Sequence, residues 1–346
     1  MRILLFDDSV PYDGYTAMTH PLGGAEKALA GLAAALSGRG HEVHAFNRCR
    51  FRMTIEGVQW EPWDRPRPFE CDALIAYRKP MLLGQVRQAK RRVLWVTAPP
   101  AYLNRTVNLD ILDTLKPELV FVSEAQRILW TGSKTIRPLV IPNGVRKEYL
   151  DETPISPSSP PIAVTTAHPL QGLDWLIGLW RERIHPALPD AKLHVYSMSL
   201  DKGRQGGAVD EALKPIFDLA IAASQQGVDI RRPGGDLDMS PAYRQARVHL
   251  HPGHPDDMLA STLAESQAAG IPAVARPLGA AAERIQDGRT GFLAPDEAAF
   301  ANTALTLLKD DGVFWGFSRD AKLLQAGRSW EIAAEQFEAV LAQRPA

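Results

Sequence analysis

Asp257 and Glu265 stand eight positions apart in the stretch "LHPGHPDDMLASTLAESQAAGIPAVARPLGAAAERIQDGRTGFLAP", residues 250–295. The apolar run Val248-His249-Leu250 before them reads as a short strand, and a Pro/Gly/His/Asp loop follows it. A helix is expected from near Met258; it carries Glu265 and stops at Gly270. That pattern puts one carboxylate by the helix N-terminus and the other two turns further along. Backbone N–H groups at a helix start lack intrahelical partners and favour anions. Ionised carboxylates are strong acceptors for hydroxyl groups. The stretch therefore suits a ligand that carries both phosphates and hydroxyls.

A second feature is the pair Gly23-Gly24, which opens a periodic Ala/Leu helix after the strand Arg2 to Phe6. Without a Cβ, glycine at a helix start lets a phosphate approach closely, although a plain loop with a helix cap would look the same. A nicotinamide site does not fit. Its fingerprint needs three spaced glycines directly after the strand and an acid closing the second strand. Here the loop is long, and the second strand ends in Phe46-Asn47-Arg48.

These residues need a frame, and the chain alternates strands with helices almost throughout. Apolar runs at Arg2 to Phe6, Val43 to Phe46, Ala73 to Ala76, Val93 to Val96, Leu119 to Val122 and Leu139 to Ile141 read as buried strands. Residues 147–161, "KEYLDETPISPSSPP", are rich in Pro and Ser and read as a linker. A second alternation starts at Ile162, with strands at Ile162 to Thr166, Leu193 to Tyr196 and near Val228 and Val248. A helix over Gly172 to Arg183 shows the apolar face Leu173, Leu176, Ile177, Leu179 and Trp180, and a last amphipathic helix runs from about Trp330 to Leu341. Both halves read as α/β layers. The 346 residues suggest two domains, at 1–146 and 162–327.

Composition narrows the function. With 39 basic and 40 acidic residues the formal net charge is -1, so no basic excess points to nucleic acid. The two cysteines, Cys49 and Cys71, make neither a disulfide framework nor a zinc spacing. The start "MRILLFDDSV" is too short and too soon acidic for a signal peptide, and no apolar run reaches membrane-span length. A cytoplasmic protein is expected, with peripheral contact at the inner membrane left open.

Five segments, in this order, resemble the family 4 retaining glycosyltransferases. They are "LGGAEKALAGLAAALSGRGHEV", "VFVSEAQRIL", "VIPNGV", "QGLDWLIGLWRERIHPALPDAKLHVYS" and "DDMLASTLAESQAAGIPAVARPLGAAAERIQDGRTGFLAPD", spread over most of residues 1–300. The resemblance implies a GT-B fold, two Rossmann-like domains facing a cleft, with the helix at about 328–346 packing back on the first. It implies transfer of a sugar from a nucleotide-sugar, held mainly by the second domain, to a glycan, lipid-linked or small-molecule acceptor. No cofactor and no metal are expected. The family's pair of acids maps onto Asp257, facing the donor sugar, and Glu265, on the ribose hydroxyls. The amides through Ser261 and Thr262 would approach the sugar and diphosphate, Gly23 and Gly24 would let the first domain close on the phosphate, and Asn143-Gly144 would form the turn near the hinge. A different GT-B chemistry, epimerase or phosphorylase, is a weaker reading; the latter lacks a recognisable pyridoxal lysine.

The sequence departs from the family in two places. The family sets an Arg and a Lys after the first strand of the second domain; here Thr165-Thr166-Ala167-His168-Pro169-Leu170-Gln171 holds only His168 as an ionisable side chain. His168 reads equally as a phosphate ligand or as a loop residue, and Arg231-Arg232 and Arg276 are the other sources of positive charge. In the first domain, Thr97 stands where many relatives carry an acceptor-side His; His20 is a spare candidate, though loop packing explains it too. Either another cation substitutes, or the donor differs, or the chain is a weak or inactive relative that serves as a binding or partner subunit. Arg78-Lys79, Arg87 and Lys90-Arg91-Arg92 form a basic segment that reads as a solvated helix face or, by the resemblance, as a surface for anionic lipid.

Overall fold

The computed structural model describes residues 1–132 and 136–342. Its contacts divide the chain into two compact units, Met1–Arg146 with Arg328–Ala346, and Lys147–Gly327.

The first unit is built on β1 (Arg2–Phe6), β2 (Glu42–Asn47), β3 (Met53–Ile55), β4 (Val58–Pro62), β5 (Glu70–Tyr77), β6 (Gln88–Val96), β7 (Glu118–Phe121) and β8 (Leu139–Val140). Among the described residues they form one sheet in the order β3-β4-β2-β1-β5-β6-β7-β8. All neighbours are parallel except β3 and β4. Ile3, Leu4, Leu5 and Phe6 of the central strand are all fully buried, as a strand covered on both faces requires. The β3–β4 hairpin turns at Glu56 and Gly57, both with positive φ, the geometry that matches strand twist.

On one face lies the helix Gly24–Gly38, whose small residues admit the final helix, Trp330–Ala342. A Cβ on Gly31 would collide with the Trp330 indole. Trp330 and Phe337 in turn pack edge-on against Trp95, at 6.3 and 5.2 Å between ring centroids. On the other face Phe6, Leu74, Leu94, Leu119 and Phe121 form a separate core. The basic segment departs from the sequence expectation. It is no helix face: residues 80–84 make a single 3-10 turn, and Lys90, Arg91 and Arg92 lie in β6.

The second unit carries β9 (Ile162–Thr165), β10 (Lys192–Tyr196), β11 (Val228–Arg231), β12 (Val248–His251), β13 (Ala273–Ala275) and β14 (Gly291–Leu293), all parallel, in the order β11-β10-β9-β12-β13-β14. Leu176, Ile177, Trp180, Leu193, Leu250 and Phe300 lie in its core. The Pro/Ser-rich stretch expected as linker is bound to this unit. Lys147–Leu150 forms a helical turn, and the buried Tyr149 donates from its hydroxyl to Asp236 at 2.7 Å. The amides of Ser156 and Ser158 reach the carbonyls of Arg244 and Gln245. Two helices without a clean apolar stripe, Met198–Arg204 and Asp236–Arg244, went unread in the sequence; Pro241 interrupts the second.

Candidate functional site

In parallel α/β sheets, ligands bind beyond the carboxyl ends of the strands. In the second unit that edge is formed by the ends of β9, β12 and β13 and by the helix Ser261–Ala268. Asp257 shapes its central loop. Its Oδ1 accepts the amides of Leu259 and Ala260, at 3.2 and 2.8 Å. This side-chain turn holds Ala260 at φ +42, so the helix starts at Ser261 and not near Met258. The other carboxylate oxygen lies 3.4 Å from His251 Nε2, at the end of β12. Burial pushes the Asp257 carboxyl up, but the His251 imidazole and the two loop amides outweigh it and hold it below the usual range.

Glu265 lies on the second turn of that helix and is only 8% exposed. The phenols of Tyr149 and Tyr243 are pushed up by burial first and by the charge of Glu265 next. Asp236, fully buried, shares this surrounding. Ser261 and Thr262 sit half-buried on the helix's first turn. Behind the helix, His249 Nδ1 is 2.8 Å from Ser266 Oγ and its Nε2 is 3.3 Å from Thr166 Oγ1, while the ring stacks on Tyr243. Burial pulls His249 down to about 3, so this brace is neutral at physiological pH.

The cations proposed from sequence fall in different places. His168 is exposed, and its Nδ1 and carbonyl accept the amides of Leu170 and Gln171, so its bonds build the loop turn. Arg231 ends the edge strand β11, with two strands between it and β12. It pairs with Asp229 at 2.7 Å and reaches 3.5 Å from His194 Nε2. Arg276, just past β13, donates through Nε to the Pro252 carbonyl and through Nη2 to that of Gly253 at 3.2 Å. Its guanidinium also lies 4.4 Å over the Trp175 ring.

In the first unit, Gly23 caps the helix Gly24–Gly38, and a Cβ on it would collide with the Glu26 carboxylate. Arg78, one residue beyond β5, donates to Glu26 at 2.9 Å, to both Asp7 oxygens at 3.0 and 3.1 Å, and to Ser9 Oγ at 2.6 Å. Asp7 also accepts the Tyr12 hydroxyl at 2.8 Å. Arg78 adopts φ +67, a conformation that strains a side-chain-bearing residue. Thr97 is buried just past the end of β6; the Tyr77 hydroxyl at the end of the neighbouring strand donates to the Ala25 carbonyl at 2.6 Å. His20 is exposed; its Nδ1 contacts Thr19 Oγ1 at 2.9 Å and its amide closes the helix Gly14–Thr19.

Within the second unit, then, Asp257, Ser261, Thr262 and Glu265 share one loop–helix element, while Arg231 stands apart at the sheet edge. Sequence reading missed Asp7, Arg78 and Glu26, and also His251 and the Tyr149–Tyr243–Asp236 surrounding of Glu265. Asp7 and Arg78 each follow a recognisable apolar strand, so their position was a usable signal. Tyr149 lay in a stretch without pattern, and nothing local marks it. Among the described residues no three His, Cys, Asp or Glu side chains group as a metal site. No helix among them is long and apolar enough to cross a membrane.

Residues 162–310 match the family described as Glycosyl transferases group 1. A D-inositol 3-phosphate glycosyltransferase of Streptomyces avermitilis is 29% identical over 178 residues, 46% of this chain and 38% of the relative, so the chain spans well under half of that protein's length. The fold is similar to that of a sucrose-phosphate synthase from Thermosynechococcus elongatus, with TM-score 0.75 at 16% identity over 98% of each chain. It is also similar to HepE of Anabaena in complex with UDP and glucose, with TM-score 0.68 at 14% identity over 99% and 100% of the two chains. These likenesses show the architecture, two parallel-sheet α/β units of GT-B type. Through residues 162–310, the part that carries Asp257 and Glu265, the chain is similar to the group 1 glycosyl transferases.

Proposed function

We propose that this protein is a retaining, metal-independent glycosyltransferase that moves a sugar from a nucleotide-sugar to a hydroxyl of a glycan, lipid-linked or small-molecule acceptor. The observation that carries the reading is the placement of Asp257 and Glu265 on one loop–helix element at the carboxyl edge of the family-matched unit. HepE of Anabaena, similar in fold, is in complex with UDP and glucose, which makes UDP-sugars the first donors to try. Glu265, a buried carboxylate, would accept the ribose hydroxyls. The first-turn amides at Ser261 and Thr262 would face the diphosphate. Asp257 would face the donor sugar, ionised and held in place by His251 and the loop amides. Gly23 and Gly24 would serve the donor phosphate, and Thr97 and His20 the acceptor side.

In the reaction, the bond between the anomeric carbon and the diphosphate oxygen breaks, and the acceptor oxygen bonds to the anomeric carbon on the same face. The acceptor proton passes to the leaving diphosphate. Protein groups then need only position the reactants and stabilise the charge that grows on the diphosphate. A panel of nucleotide-sugars tested for binding and for slow nucleotide release checks the proposal. At least one should bind and release nucleotide, and Glu265→Ala should weaken its binding about tenfold or more, the cost of a lost ionic hydrogen bond. Binding without turnover would favour the partner-subunit reading, which the missing Arg/Lys pair at residues 166–171 supports. No binding of any nucleotide-sugar would sink both readings.

A further inference from the structure

We infer that Arg276 supplies the positive charge for the donor diphosphate that residues 166–171 lack. This rests on the transferase reading above and assigns that site a further residue.

Geometry singles Arg276 out. A Cβ on Gly172 would stand 3.0 Å from Arg276 Nη2 and 3.1 Å from Pro252 Cβ. The guanidinium therefore lies against the segment right after Gln171, where the expected cations are missing. Gly172 has φ +87, and Gly253 and Gly279 flank the same loop with φ +70 and +57. Their missing side chains let the backbone segments pack closely: a Cβ on Gly253 would meet the Arg276 carbonyl at 3.0 Å, and one on Gly279 would collide with the carbonyls of Asp257 and His254. The loop from Pro252 to Asp257 thus packs against the segment from Arg276 to Ala280.

Electrostatics point the same way. Around this unit several other arginines are matched by acids: Arg231 with Asp229, Arg244 with Asp151, Arg247 with Asp311 and Arg289 with Asp320. Arg276 has no carboxylate at ion-pair distance among the described residues. Its two bonded partners are neutral carbonyls, which fix the side chain but leave its charge uncancelled. Nη1 takes part in neither bond. Trp175 supports the flat guanidinium from one side and is itself held by a bond from its indole N–H to Glu297 at 3.0 Å. A planar cation held this way needs no reorganisation when charge develops on a diphosphate, which is the condition for effective electrostatic stabilisation.

The experiment compares UDP, GDP and ADP with their nucleosides by calorimetry on the full chain. Wild type should bind at least one diphosphate more tightly than its nucleoside. Arg276→Met should then lower affinity for that diphosphate about tenfold or more and leave the nucleoside unchanged, because only an ionic contact is lost. Arg276→Lys should fall between the two, and Asp174→Asn, which removes a carboxylate charge that acts on Arg276, should tighten diphosphate binding slightly. Equal binding of the diphosphate by Arg276→Met and wild type would overturn the inference. So would parallel loss of diphosphate and nucleoside, since that marks a loop brace only. If wild type binds no nucleoside diphosphate at all, the transferase reading itself falls. Should Arg276→Met fail to fold, the Lys and Asn variants decide: diphosphate affinity identical to wild type in both rejects the role.

Discussion

Arg78 and Arg276 hold matching places in the two units, each one residue beyond a strand of the parallel sheet. Their surroundings are opposite. Arg78 is clamped by two carboxylates, Asp7, 1% exposed, and Glu26, and both raise its pKa against the effect of burial. Arg276 is clamped by two carbonyls, and burial lowers its pKa, with Asp174 opposing. The first arrangement consumes the charge to hold Glu26 over the start of the helix Gly24–Gly38, so Arg78 has no positive charge left over for a ligand. The second keeps the charge available. A cation's position at a strand end therefore says little about whether it can serve a ligand; its partners decide.

The largest effect should come from Arg78→Met. The buried Asp7 and the part-buried Glu26 would lose their counter-charge, at a cost of about 3 kcal/mol, read as a drop in the urea midpoint at unchanged slope. If stability hardly changes, Asp7 and Glu26 do not depend on Arg78 and the contrast fails. Next, Gly279→Ala should cost about 2 kcal/mol, since φ is positive and the new methyl would press on the Asp257 carbonyl; it should weaken donor binding as well. Arg276→Met should be milder in stability, about 1 kcal/mol, because its lost partners are neutral carbonyls and not charged groups. A loss equal to that of Arg78→Met would erase the distinction between the two cations.

A last effect concerns pH. The folded value of His249, about 3, lies below the value of about 6.5 that it takes in the unfolded chain. Between those values the unfolded chain binds the extra proton, so stability is full above about 6.5 and falls as pH drops toward 3. Asp257, held low when folded, adds a further loss only below about pH 4. Thermal melts at pH 7, 6, 5 and 4 should show the decline, and His249→Asn should flatten its upper part. A melt series independent of pH from 7 to 5 would show that His249 is not held neutral.

Much of the frame was legible because its signals are local. Buried parallel strands write themselves as short apolar runs, and β1, β6 and β12 appear where those runs lie. Asp257 and Glu265 were legible by spacing, since a loop–helix junction converts sequence distance into a fixed spatial one. The hairpin β3–β4 was not legible: its strands are short, and Glu56-Gly57 is not a usual turn pair. The start of the helix at Ser261 was misplaced because Ala260, inside the turn that Asp257 makes with the amides of residues 259 and 260, takes a positive φ that a helix from Met258 could not continue through.

The order of strands and helices and the two acids on one element were determined by the chain's own pattern of apolar, small and charged residues, because hydrophobic period and helix spacing act over a few residues. Only the tertiary structure decided which cation is free. Arg78 meets carboxylates 52 and 71 positions away, and Arg276 meets carbonyls 23 and 24 positions away. Whether a charge is cancelled depends on what stands within hydrogen-bond reach after folding, and no local stretch of sequence carries that distance.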